Sequence, residues 1–211
     1  MAEQKHHNEA MNVEDALTKS EAFLIKNKKV IIGVVVAVIV VVVGVILYKH
    51  LYAEPREEKA QAALFKGQEL FEQDQYEKAL NGDSIGFVGF LKVADQFSGT
   101  KAANLAKAYA GICYAHLNKY DEAIKYLNEF DGADQMVGPA MLAAAGNCYA
   151  QLDQLDKAVS SLLKAADKAD SNTLSPIYLL QAGEILVKQG KYDDAVKAYT
   201  QIKDKYFQSY Q

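Results

Sequence analysis

Cys113, Cys148 and His116 are the side chains of this 211-residue chain best suited to covalent, metal or acid–base chemistry. Such residues can serve a disulfide or redox couple, a metal site, or a general base. None of these finds the spacing it needs, because the sequence holds no CxxC, no HExxH and no His/Cys cluster. His116 stands alone near the end of an expected helix, where a place on a groove edge or surface outweighs a role as base. No Ser/His/Asp or Cys/His arrangement recurs, and the acidic residues fall on expected solvated helix faces. His6 and His7 are too isolated for a metal and are read as solvated. The expectation is a chain that is not an enzyme and has no cofactor, metal or small-molecule substrate.

The elements that position these residues follow from a repeat. One skeleton occurs four times: a Gly, an apolar residue three later, an apolar or aromatic residue nine later, and an Ala twelve later. Its copies are Gly67, Leu70, Tyr76, Ala79; Gly111, Tyr114, Tyr120, Ala123; Gly146, Tyr149, Leu155, Ala158; and Gly183, Leu186, Tyr192, Ala195. The steps between glycines are 44, 35 and 37 residues. Gly and the residue three on share one face of a first helix, and the absent side chain lets a second helix approach. A short turn follows, as in LNKYDEA at 117 to 123, LDQLDKA at 152 to 158 and KQGKYDDA at 188 to 195. The Tyr or Leu then begins the second helix, with acidic residues suited to its positive end, and the Ala lies where the helices cross. Cys113 and Cys148 occupy equivalent places in successive copies. That separates them by one helix pair, two spacings of roughly 8–10 Å, whereas a disulfide needs Cα atoms within ~7 Å. Two free, buried thiols are expected.

The first copy carries about nine extra residues within NGDSIGFVGFLKVADQFSGT at 81 to 100. They predict a longer or kinked second helix built on Phe87, Phe90, Leu91, Val93 and Phe97. Pro139 and Pro176 fall near the starts of first helices, where the missing N–H costs nothing. After the fourth copy no polar capping helix is visible. Truncation, a covering partner, or closure by residues 205 to 211 are the open alternatives.

Residues 30 to 48, VIIGVVVAVIVVVVGVILY, hold no charge and ten valines. As a helix they span roughly 28 Å, close to the ~30 Å hydrocarbon core of a bilayer. In lipid only a helix satisfies every backbone group within one segment. A cleaved signal peptide fits less well, because 29 residues precede the run and YKHLYAEP follows it. Lipidation is not supported, since the first cysteine is Cys113. Lys19, Lys26, Lys28 and Lys29 precede the span and Lys49, Arg56 and Lys59 follow it, a bias of one charge which, with Lys26, Lys28 and Lys29 directly at the membrane edge, favours a cytoplasmic N-terminus. Tyr48 and Tyr52 suit the far headgroup level. Ahead of the span, Val13, Ala16, Leu17, Phe23 and Leu24 form an apolar stripe that favours a helix on the membrane surface.

Charges before the span cancel, so the net −4 lies on the remainder, where Lys and Arg are well mixed with Asp and Glu. That balance argues against nucleic acid, which requires concentrated positive charge. The expected organisation is a cytoplasmic segment 1–29, a transmembrane helix 30–48, a juxtamembrane stretch 49–59, a repeat domain 60–207 and an end piece 208–211. Within the domain the repeats run about 60–103, 104–138, 139–175 and 176–207. The fold class is all-α: a single membrane helix followed by an α-α superhelix of about four pairs.

The Gly, Tyr and Ala offsets over residues 60 to 207 resemble the tetratricopeptide-repeat consensus, whose period is 34. The strings YEKALNGD at 76 to 83, GFL at 89 to 91 and GTKAANLAKAYAGICYA at 99 to 115 are similar to the YfgM-like family of ancillary Sec translocon subunits of bacterial inner membranes. That resemblance implies a single-pass inner-membrane protein with a periplasmic repeat domain. The implied partners are a SecYEG-type translocon, a membrane-anchored periplasmic chaperone, or unfolded client polypeptides. By the repeat register a concave groove is lined by Leu64, Gln68, Phe71, Ala108, Ile112, Ala115, His116, Ala143, Asn147, Ala150, Gln151, Leu180, Glu184, Val187 and Lys188. Such a lining admits a helix or an extended apolar segment. Ala108, Ala143 and Asn147 stand where relatives that grip chaperone C-termini carry a Lys/Asn/Arg clamp, so that mode is not expected. The expected function is protein–protein interaction, with a structural scaffold of another envelope complex, of the outer-membrane assembly or cytochrome-maturation type, as the alternative.

Overall fold

The computed structural model describes residues 21, 23–83 and 86–207. The residues Val13, Ala16 and Leu17 of the N-terminal stripe, His6, His7 and the end piece 208–211 lie outside them. The chain divides into two compact units, Met1–Glu54 and Pro55–Gln211. Among the described residues every regular element is a helix.

In the first unit, α1 runs over Lys28–Tyr48 and buries none of its residues. It is long and apolar enough to cross a membrane. A helix uncharged from Val30 to Tyr48 with no residue buried differs from the core helix of a soluble domain, which would be covered by neighbours. A π-helical turn, Lys49–Ala53, follows it. There His50 Nδ1 lies 2.6 Å from Glu54 Oε2, and the Tyr48 and Tyr52 rings stand 5.4 Å apart.

The second unit is a ladder of helix hairpins. Its elements are α2 (Glu54–Glu72), α3 (Tyr76–Asn81), α4 (Phe90–Gln96), α5 (Lys101–His116), α6 (Tyr120–Glu129), α7 (Val137–Gln151), α8 (Leu155–Ala169), α9 (Ser175–Lys188) and α10 (Tyr192–Lys205). From α5 onward each helix packs against the next. Tyr76, Tyr120, Leu155 and Tyr192 are the first residues of second helices. The matching alanines, Ala79, Ala123, Ala158 and Ala195, are buried. Each repeat glycine admits a bulky neighbour: a Cβ on Gly67 would fall 2.4 Å from the Phe90 ring, on Gly111 2.6 Å from Leu127, and on Gly146 3.0 Å from Leu162. On Gly183 it would fall 2.3 Å from Tyr199.

All four hairpins share one turn. Asp74, Asn118, Asp153 and Gly190 have φ of 57°, 59°, 56° and 73°. The next residues, Gln75, Lys119, Gln154 and Lys191, donate their N–H to the carbonyls of Leu70, Tyr114, Tyr149 and Leu186, each at 2.9 Å. This is the Schellman closure, in which a left-handed residue satisfies the last carbonyls of the first helix. Asp and Asn tolerate that conformation better than other side chains, and Gly best of all.

The first repeat departs from the expected longer or kinked helix: its second helix is broken. Gly82 (φ 101°) ends α3, and Gly89 (φ 91°) precedes α4. Between them Asp83 and Phe87 close a tight loop, the N–H of Asp83 donating to the Phe87 carbonyl at 2.9 Å. A Cβ on Gly89 would fall 2.5 Å from the Leu80 carbonyl oxygen, a contact only glycine allows. The break delivers Phe90 into the gap beside Gly67, stacked on Tyr109 with ring centroids 5.0 Å apart. Pro139 lies in the first turn of α7, and Pro176 at the start of α9. Beyond α10, Tyr206 is buried in the core of the last two hairpins.

Candidate functional site

Two first helices, α5 and α7, stand side by side with small residues facing one another. Ile112, Ala115 and His116 from α5, Tyr120 from α6, and Ala144, Asn147, Cys148 and Gln151 from α7 enclose an open cleft of about 320 Å³. No charged side chain lines it among the described residues. On α7 the four lining residues fall at i, i+3, i+4 and i+7, a single helical stripe.

One wall is stiffened by an aromatic cluster. His116 stacks on Tyr76 with centroids 4.1 Å apart and planes 6° from parallel, and Phe71 meets both rings edge-on. Tyr76 donates its hydroxyl to Asp74, and Tyr120 donates to Asn118 Oδ1 at 2.8 Å, so both tyrosines are held by the left-handed turns. Burial pushes the Cys113 thiol up to about 12 and raises that of Cys148. Both cysteines are free and buried, and as protonated thiols they act as small apolar packing. Among the described residues no three His, Cys, Asp or Glu side chains converge on a possible metal position.

Of the groove residues expected from the register, Ile112, Ala115, His116, Asn147 and Gln151 line this cleft. Leu64, Ala108 and Ala143 are buried. Gln68 donates to the Tyr109 hydroxyl at 3.0 Å, and Phe71 belongs to the aromatic cluster. Ala150 is half-buried beside the cleft, while Leu180, Glu184, Val187 and Lys188 are exposed outside it. Tyr120, Ala144 and Cys148 are lining residues the register did not select. Tyr120 carries a legible signal, since it begins α6 where the hairpin turns back. Ala144 and Cys148, rather than the expected Ala143 and Ala150, complete the stripe that Asn147 and Gln151 define on α7.

A second opening, of about 410 Å³, lies at the start of α5 between Lys101, Lys107, Glu129 and Asp131. Its helix terminus is already satisfied. Glu57 accepts from the N–H groups of Lys101 and Ala102 at 2.7 and 3.0 Å, and Thr100 Oγ1 accepts from Ala103 at 3.0 Å. The donors an anion would use are therefore occupied.

Models of the tetratricopeptide repeat match residues 109–130 and 178–209, and a second such model matches 139–167. No curated protein matches the chain. The chain thus carries tetratricopeptide repeats, which implies protein partners in general.

Proposed function

We propose that this chain is a membrane-anchored interaction module that holds a segment of another polypeptide in the cleft between α5 and α7. The observation that carries the reading is the lining itself: an uncharged floor of Ile112, Ala115 and Ala144, edged by the amides of Asn147 and Gln151 and the ring of His116. An apolar floor rewards burial of side chains at roughly 25 cal/mol per Å². Amides on the rim pair with the backbone or polar groups of a bound strand or helix, which an entirely apolar cleft would leave unsatisfied. In this reading the binding surface continues from the cleft along the first helices towards the exposed Leu180, Glu184, Val187 and Lys188.

The anchor is α1. Its length, the absence of charge from Val30 to Tyr48 and the absence of buried residues along it support a span of the bilayer, with Lys26, Lys28 and Lys29 at the cytoplasmic edge and the repeats in the periplasm. The finer reading is an accessory of the Sec translocon and its periplasmic chaperones in a bacterial inner membrane. It is supported by the single-anchor layout and by the strings around Tyr76 and Gly111.

Photocrosslinkers placed at Ile112 and Asn147 of the full chain in intact membranes test this reading. Capture of translocon neighbours or secretory polypeptides is the expected result. Capture of fixed envelope subunits alone supports a scaffold instead. Protease added to spheroplasts degrades the repeats if they are periplasmic, and protection of the repeats overturns that placement.

A further inference from the structure

The four second-helix regions carry an apolar residue thirteen positions after the repeat glycine: Leu80, Ile124, Val159 and Val196. Leu80, Ile124 and Val159 are 1%, 9% and 9% exposed, whereas Val196 is 61% exposed. Ile124 packs in a cluster with Ala145 and Cys148 of α7, and Val159 in one with Leu179 and Ala182 of α9. The face of α10 that corresponds to these covered faces presents Val196 with Tyr192, itself 65% exposed. Thr200 and Lys203 continue it, because at 100° per residue all four fall within one stripe, flanked by Asp193.

The charges on this helix are polarised. Its first turn holds Asp193 and Asp194, and its last turn Lys203 and Lys205. Asp194 is paired with Lys197 at 2.8 Å and Lys205 with Asp170 at 2.7 Å, while Asp193 and Lys203 make no ion pair among the described residues.

We propose that this face of α10 packs antiparallel against α10 of a second copy of the chain, about a two-fold axis level with Ala198, between Val196 and Thr200. A two-fold contact uses the same patch twice, so the patch must be complementary to itself. Antiparallel packing meets that condition: Asp193 lies opposite Lys203 of the partner subunit, the reverse pair forms across the axis, and Val196 is covered between them. The helix dipoles also oppose favourably. A parallel arrangement would set like charges side by side. A single helix pair buries less than an interface of standard size, so the dimer is weak. Confinement of both copies to one surface raises their effective concentration. The ion pairs set register and direction more than affinity. This contact does not depend on what occupies the cleft between α5 and α7.

The test uses the full chain in lipid vesicles with Thr200→Cys and a short bismaleimide linker, the two native thiols being buried. Crosslinked dimer is expected for Thr200→Cys and not for Ser160→Cys, an exposed position on α8. Adding Lys203→Asp lowers the crosslinked fraction about fivefold, because two weak attractions become two repulsions. Adding Asp193→Lys to that variant restores it. If Thr200→Cys joins no more copies than Ser160→Cys, joins a different protein instead, or if the charge swap fails to restore dimer, the proposal is overturned.

Discussion

Two helices of this chain carry long uncharged stretches and solve opposite problems. α1 has ten valines among its residues and buries nothing, whereas α7, Val137–Gln151, has five alanines and two glycines and buries Gly138, Pro139, Ala143, Ala145, Gly146 and Cys148. α1 is the more apolar of the two, and side-chain bulk separates them further. Small residues let neighbouring backbones come close, so α7 gains its contacts from α8 and from α6. A helix studded on all sides with branched side chains offers no such groove and is suited to hydrocarbon chains. The contrast predicts that unit two is broken by added volume and unit one by added charge.

The largest effect expected is from Gly111→Leu. A Cβ there already falls 2.6 Å from Leu127 Cγ and 3.1 Å from the Leu127 backbone nitrogen, so the helices must separate. The cost is about 3 kcal/mol or more, read as a shift in the urea midpoint of the full chain in detergent. Membrane association should not change. The converse variant, Val38→Arg, leaves that midpoint where it is and costs about 2.5–3.5 kcal/mol of insertion, read as loss from the membrane fraction on alkaline carbonate washing. A Val38→Arg chain that resists carbonate would remove the distinction between the two helices.

Gly146→Leu grades the comparison within the repeats. Its Cβ would lie 3.0 Å from Leu162 Cγ and 3.2 Å from the Ala158 carbonyl oxygen, looser than at Gly111. The expected loss is about 1–3 kcal/mol, less than for Gly111→Leu. Equal losses would mean that the closeness of approach does not set the cost.

Much of the fold is legible in the sequence, because the signals that fix helix pairs are local. Tyr76, Tyr120, Leu155 and Tyr192 open helices because the turn before them is short and the residues after them are acidic or amphipathic. What stayed hidden is chemically equivalent but differs in letters. The left-handed turn position is Asp, Asn, Asp and Gly in the four copies, so a search for repeated identities passes over it although all four share a conformation. The first repeat departs from its sequence pattern for a related reason: apolar Phe87, Phe90 and Val93 suggest helix, while the break depends on backbone contacts at Gly82 and Gly89 that only the folded chain reveals. In the cleft, Asn147 and Gln151 follow from helical spacing, and Ala144 and Cys148 lie on the same stripe, which the repeat register split by taking Ala143 and Ala150 in their place.

The hidden turn position supplies a smaller test. Asp153 has φ of 56° and an exposed side chain that lies outside the cleft. Asp153→Ala should cost about 1 kcal/mol, since a Cβ with no local hydrogen-bonding group pays the left-handed penalty in full, while Asp153→Gly should cost nothing. Thermal unfolding of the pair distinguishes backbone conformation from lost charge: if both variants lose equally, charge is responsible.

The smallest effect concerns pH and the closure beyond α10. The Lys205 ammonium, hydrogen-bonded to Asp170 at 2.7 Å, holds the Asp170 carboxyl below the usual carboxylate range, with a lesser contribution from the Tyr206 hydroxyl at 3.4 Å. A carboxyl whose folded value is depressed adds stability that is present above its unfolded value of about 3.9 and is lost as pH falls through the folded value. The melting temperature should therefore fall on acidification below about pH 4, and Asp170→Asn should flatten that fall slightly. The change is small because both partners are half exposed. Tyr206→Ala removes a ring buried in the cluster that holds Ala166 and Leu179, so its loss should be larger and, beyond the lesser effect of its hydroxyl on Asp170, little changed by pH. If Asp170→Asn instead destabilises as much as Tyr206→Ala at neutral pH, the ion pair rather than the ring holds this closure, and the small residues of the core matter less there than in α7.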